Sequence, residues 1–122
     1  MAYPGYYGPL RSKYGNKKAE VDGITFDSKA EARRYFDLRI RQDIGEIALL
    51  RRQVPFVLIK GQRWSDGKKH RDTVYKADFV YVDCETGEMV VEDVKGFRTD
   101  VFKLKKELMK DIYGIEVREV KA

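Results

Sequence analysis

Apolar and polar positions change period several times along the chain, and the changes mark its elements. From Ala19 to Phe26 the sequence AEVDGITF sets Asp22-Gly23 between two short apolar-containing segments, the chemistry of a two-residue hairpin turn. Ser28 then opens a helix. Ser28 and Glu31, three residues on, form a capping-box pair. Ala32, Phe36, Ile40 and Ile44 recur every fourth residue as a stripe expected to be buried, and Gly45 ends the helix. After a linker, QVPFVLIK (Gln53 to Lys60) reads as a strand whose Pro55 must stand at its start or on a sheet edge, because proline has no N–H for the ladder. Trp64 to Arg71 is a polar, lysine-rich loop.

Two longer strands follow, Thr73 to Asp83 and Glu88 to Gly96, separated by the turn residues Cys84, Glu85, Thr86 and Gly87. Thr99 caps a second helix in which Val101, Leu104, Leu108 and Ile112 make the stripe expected to be buried, with Lys103, Lys106 and Lys110 gathered on another face. Gly114 closes it, and Ile115 to Val120 forms a last strand. The order hairpin, helix, three strands, helix, strand predicts an α/β fold with a mixed β-sheet flanked by helices. No internal repeat is visible.

Composition narrows this picture only slightly. A chain of 122 residues fits one domain. It is expected over 19–122, preceded by an arm over 1–18 that mixes Tyr, Gly, Pro and basic residues without a period. Hydrophobic residues are 43% of the chain and charged residues 37%, too apolar a mixture for a disordered chain. The longest apolar runs fall far short of the roughly 20 residues that span a bilayer, and no signal-peptide pattern opens the chain, so a soluble cytoplasmic protein with no membrane partner is expected. Cys84 is the single cysteine, which rules out an internal disulfide and leaves no zinc-ligand spacing. A net charge of +5 favours a polyanionic partner.

The candidate chemistry comes from register. If residues 84–87 form the turn, Asp83 pairs with Glu88, Val82 with Met89, Val80 with Val91, and Asp78 lies opposite Asp93. Facing residues of an antiparallel pair have β-carbons about 4.5–5.5 Å apart, and two carboxylates at that separation repel unless something neutralises them. A period of two puts Met89, Val91, Asp93 and Lys95 on one face and Glu92 on the other, where it reads as structural. Acidic oxygen ligands for Mg²⁺ or Mn²⁺ beside a cation are what phosphodiester hydrolysis needs. The same spacing also suits a solvated, charged sheet face. His70, in KKHRD, has no partner at ligand spacing and reads as solvated.

The stretch ADFVY and, after the turn, VVEDVKG resemble the core motif of the PD-(D/E)XK nucleases, with Asp78 as the first acid and Asp93-Val94-Lys95 as the DxK element. Upstream, DSKAEARRY is similar to the helix that carries an acidic residue in that superfamily, matched here by Glu31. With KYGN, VDGITFDSKAEA, LRRQVPF and VKGFRTDVFKLK, the pattern from Lys13 onward also resembles a small phage-encoded family similar to Holliday-junction resolvases. Ala77 stands where the motif has proline.

The resemblance implies a restriction-endonuclease-like core, in which Glu31, Asp78 and Asp93 share Mg²⁺ or Mn²⁺ and Lys95 assists the attacking water. It further implies a DNA endonuclease acting on branched DNA such as a Holliday junction, in the bacterial host cytoplasm if phage-encoded. Two symmetric cuts need two sites, so a homodimer is expected. Expected nucleic-acid contacts are Lys17 and Lys18 from the arm, Arg34 from the first helix, Gln53 at its strand start, and Lys103 and Lys106 from the second helix. The alternatives are a non-catalytic nucleic-acid-binding module and a sequence-specific or transposase-type nuclease of the same fold.

Overall fold

The computed structural model describes residues 18–122. The expected arm, Lys18 apart, and Lys17 with it lie outside the described residues. In chain order the elements are β1 (Ala19–Val21), β2 (Ile24–Phe26), α1 (Lys29–Asp43), β3 (Ile47–Ile59), β4 (Thr73–Asp83), β5 (Met89–Lys95), α2 (Asp100–Tyr113) and β6 (Arg118–Lys121). β1 and β2 make the small hairpin, turned by Asp22 (φ 53) and Gly23 (φ 78). Positive φ at both central residues is what makes Asp-Gly suited to this turn.

The other four strands form one mixed sheet in the order β3-β4-β5-β6, antiparallel except for the parallel β5–β6 pair, whose crossover is α2. β3 is an edge strand, which accommodates Pro55 opposite Lys76. β3 begins at Ile47, not at Gln53. The residues read as a linker join the sheet through a register shift between Ala48 and Arg51, where Leu49 adopts φ 57, so Gln53 stands mid-strand.

One apolar cluster, on the α1 face of the sheet, joins Phe26, Ala32, Tyr35 and Leu38 to Ile47, Phe79, Tyr81 and Val90. The opposite cluster joins Phe102 and Met109 of α2 to Leu58, Tyr75, Ala77, Val80, Val91 and Val117. The molecule is thus a mixed α/β sandwich with a helix on each side of the sheet.

Both helices are rotated relative to the faces expected from their sequence. α1 buries Glu31, Ala32, Tyr35 and Leu38 while Phe36, Ile40 and Ile44 are exposed. Steps of four residues advance about 40° each around a helix with 3.6 residues per turn, so Ala32, Phe36, Ile40 and Ile44 sweep away from any one face. In α2 the buried residues are Phe102 and Met109, seven apart, with Leu108 partly buried; Val101, Leu104 and Ile112 face outward.

α1 is also fastened to the sheet by charge. Glu92 is fully buried, and its carboxylate accepts two hydrogen bonds from Arg34, at 2.9 Å from Nε and 2.6 Å from Nη2, and a third from the Tyr81 hydroxyl. Glu92 therefore points to the face opposite Asp93, as alternation requires. A forked pair of this kind is the strong form of a charged hydrogen bond.

Removing one partner of a buried pair leaves the other uncompensated, at a cost of about 3–5 kcal/mol. Arg34→Ala should lower stability in urea by roughly that amount, whereas Asp37→Asn on the exposed face should stay within about 0.5 kcal/mol. A small effect of Arg34→Ala would show that Glu92 is held by other means.

Candidate active site

The β4–β5 ladder runs from Val82↔Met89 to Phe79↔Glu92, the expected register, and regular pairing ends there. Asp78 is the next residue of β4. Its carboxylate stands in for a main-chain acceptor, with Oδ2 receiving the Val94 N–H at 2.8 Å. β3 is irregular at the same level: Gln53, between the pairs Arg52↔Phe79 and Val54↔Ala77, has φ 52. That is left-handed backbone, which costs a non-glycine residue about 1–2 kcal/mol. Ala77 packs in the α2-side core and Phe79 in the α1-side core, although residues two apart in a regular strand share a face. β4 therefore changes face at Asp78.

Three carboxyl groups meet at this irregularity. Asp93 is buried, and its Oδ2 accepts from the Tyr75 hydroxyl at 2.8 Å. Burial first, and then a side-chain hydrogen bond and charge from Asp78, hold the Asp93 carboxyl well above the ordinary carboxylate range, against the opposing pull of Tyr75 and Lys95. Glu31, also buried, receives the Gln53 amide at Oε1 (3.0 Å), and the same amide nitrogen reaches Asp78 Oδ1 at 3.3 Å. Gln53 thus bridges two of the acids. Burial, then Asp78 and Asp27, push the Glu31 pKa up to about 7, opposed by Arg52 and the Gln53 hydrogen bond.

Glu31 forms half of the expected capping box. Its N–H donates to Ser28 Oγ (3.1 Å), but its carboxyl goes to Gln53. The helix start thereby delivers the side chain to the site.

The nearest cation is Lys95, whose Nζ lies 3.6 Å from Asp93 Oδ1 and 4.5 Å from the centre of the Phe102 ring. Alternation places it on the Asp93 face, as expected from the sequence. The acids line a cleft of about 700 Å³ whose walls include Ser28 at the start of α1 and Thr99 and Phe102 at the start of α2. Thr99 Oγ1 caps α2 by accepting the Phe102 N–H at 3.0 Å. Two helix N-termini at one cleft give it partial positive charge suited to an anion such as phosphate.

The other candidate residues are dispersed. Lys18 lies 3.8 Å from Asp27, which lines the same cleft, but is not itself part of the lining. Arg34 is turned inward to Glu92, not presented to a ligand. Lys103 (3.9 Å from Asp100) and Lys106 (paired with Glu119) line a separate cleft with Arg98 and Lys110. Gln53 contacts two of the acids directly.

Tyr75 escaped the sequence reading because regular alternation from Asp78 puts it on the other face, and only the change of face at Asp78 brings its hydroxyl to Asp93. Lys105, whose Nζ donates to the Val74 carbonyl at 2.8 Å on the cleft wall, carried no signal beyond a lysine-rich helix.

The sequence profile of a family described as proteins of unknown function, DUF1064, matches residues 11–121. The chain belongs to this family. No curated protein and no solved structure matches it. The DUF1064 match takes in every element of the sheet and both helices, so the acidic cleft lies wholly within the family's domain.

The raised carboxyls have a consequence for stability. Glu31 and Asp93 hold protons more tightly folded than unfolded, where their pKa values are near 4. The native state therefore binds more protons in between, and stability contributed by these groups should fall as pH rises from about 4 to about 7 and level off above. Thermal melts in chelator should show this fall, and Glu31→Gln should flatten it. A Glu31→Gln profile as steep as that of the unmutated chain would contradict the assignment.

Proposed function

We propose that the chain is a metal-dependent DNA endonuclease with a restriction-endonuclease-like core, and that the acidic cleft hydrolyses phosphodiester bonds. The observation that carries this reading is the contact between Asp78 and Asp93 at the broken end of a ladder, with Lys95 beside them. Three carboxyls with one adjacent ammonium are an arrangement that favours binding a cation, and hard oxygen donors are right in kind for Mg²⁺ or Mn²⁺. Among the described residues no three His, Cys, Asp or Glu side chains are spaced as a ready-made ligand set. Asp78 and Asp93 would therefore be the principal holders, with Glu31 joined to them through Gln53. When bound, the ion supplies charge stabilisation at phosphorus and makes a water more acidic.

The remaining work falls to the chain itself. Helix N-termini and Lys105 draw a phosphate into the cleft, and Lys95 places a positive charge beside Asp93, where the phosphate gains negative charge as water adds. The Tyr75 hydroxyl and the Val94 N–H fix the two aspartates, as groups behind metal ligands do. In the net reaction the water oxygen bonds to phosphorus, one phosphorus–oxygen ester bond breaks, and the departing oxygen takes up a proton.

We extend the reading to branched DNA, the four-way junction included, and to a homodimer. The exposed apolar side chains of Phe36, Ile40 and Ile44 on α1 support pairing of two copies, since exposed apolar surface suits a protein interface.

Labelled linear duplex, flap and four-way-junction DNA, each with and without Mg²⁺ or Mn²⁺, test the reading directly. Metal-dependent cleavage is expected, reduced about a hundredfold or more in Asp93→Asn and about ten- to a hundredfold in Tyr75→Phe. Cleavage by folded Asp93→Asn at the original rate would refute the assignment. Either metal should also raise the melting temperature by binding the native state, and the rise should vanish in Asp78→Asn. Light scattering of the junction complex should find two chains per DNA.

A further inference from the structure

The connection between β3 and β4 is built as a projecting hairpin, and we infer that it is a stacking clamp for an unpaired base of a DNA substrate. Every residue from Gln62 to Asp72 is exposed, yet the segment is closely bonded. Arg63 and Lys69 form an antiparallel bridge, the Trp64 N–H donates to the Lys68 carbonyl at 2.9 Å, and the Gly67 N–H donates to the Trp64 carbonyl at 2.9 Å. At the root, Gly61 donates to Asp72 Oδ1 (2.7 Å), and a β-carbon on Gly61 would lie 2.2 Å from the His70 carbonyl oxygen, so only glycine fits.

This scaffold holds one aromatic pair. Trp64 and His70 stack with ring centres 4.2 Å apart and planes 14° from parallel, while Trp64 remains 58% exposed. The pair belongs to neither core cluster, so apolar burial does not account for it.

Its surroundings select a polyanion. Residues 60–72 carry Lys60, Arg63, Lys68, Lys69 and Arg71 against Asp66 and Asp72, five cations less two anions, or +3. Both anions are engaged within the hairpin, Asp66 by the Lys68 N–H (2.8 Å) and Asp72 by the Gly61 N–H. A flat aromatic surface among lysines and arginines is the chemistry that binds single-stranded nucleic acid, because every base has a face to stack. The root at Thr73 is five residues from Asp78 along β4, about 17 Å. The stacked base is therefore separate from the nucleotide at the acids. The inference rests on the proposed DNA reading for its partner, not on cleavage.

Trp64 is the chain's one tryptophan, so its emission, excited apart from tyrosine, reports on this position alone. The full chain in chelator is titrated with oligodeoxythymidylate, forked DNA and blunt duplex, and binding is followed separately by anisotropy of the labelled DNA. Trp64 emission should be quenched as the first two saturate, and change little with duplex. Trp64→Ala should weaken their binding about tenfold while leaving duplex binding and melting temperature unchanged, and Trp64→Phe should restore most of the loss. Saturated binding without quenching, unchanged affinity in Trp64→Ala, or no binding of DNA at all would each overturn the inference. Metal-dependent cleavage with silent Trp64 would leave the nuclease reading standing and remove this one. Quenching without cleavage in metal would do the reverse.

Discussion

The fold brings the carboxyls of Asp78 and Asp93 together on the wall of a cleft, with Asp93 buried. The groups around them are mostly neutral: the Tyr75 hydroxyl, the Val94 N–H and the Gln53 amide. Hydrogen bonds of this kind fix the oxygens but do not cancel charge. Among the described residues Lys95 is the one ammonium at Asp93, and Glu31 adds a third acid through Gln53. The cluster therefore retains protons to unusually high pH. Three departures from regular structure occur at the same level: the end of the ladder, the left-handed Gln53 and the change of face in β4. On the proposed reading, the left-handed Gln53 among the converging acids belongs to a site shaped for a ligand.

The neighbouring residue supplies a control inside the same strand. Glu92 is as buried as Asp93, but alternation sends it to the α1 face, where Arg34 meets it with two hydrogen bonds and Tyr81 with a third. There the charge is balanced within the fold, and the pair fastens α1 to the sheet. Adjacent buried carboxylates thus have opposite fates, one neutralised by an arginine and the other left beside a second acid. Burial alone would not separate them; the identity of the partners does.

How much of this was legible depended on whether local rules were sufficient. The register of β4 and β5 followed from the four residues 84–87, because turn length fixes pairing, and with it the nearness of Asp78 to Asp93 and the shared face of Lys95. Helix faces were less legible. Val101, Leu104 and Leu108 compete with Phe102 and Met109 for the core side of α2, and only the sheet surface decides between them. The start of β3 was missed because LLRR resembles neither alternation nor a turn, and a bulge at Leu49 reconciles it with the sheet. Tyr75 was invisible for a related reason: its approach to Asp93 depends on a break in alternation that no pattern in the sequence announces. Glu31 looked like a helix cap and is one by its N–H alone.

The electrostatics of the cleft bear on how ligands would enter it. The chain as a whole carries +5, and two helix N-termini with Lys95 and Lys105 surround the cleft, yet its floor is acidic. A phosphate approaching the cleft would be drawn by the walls and repelled by the floor. On the proposed reading, a cation on Asp78 and Asp93 would remove the repulsion, and a phosphate would add a further oxygen donor for it. Each ligand then strengthens the binding of the other by the same factor, because coupling between two binding events is reciprocal. On the proposed reading, the acids that destabilise the empty fold near neutral pH are what make metal and DNA bind together, and the basic surroundings keep the polyanion close while they do.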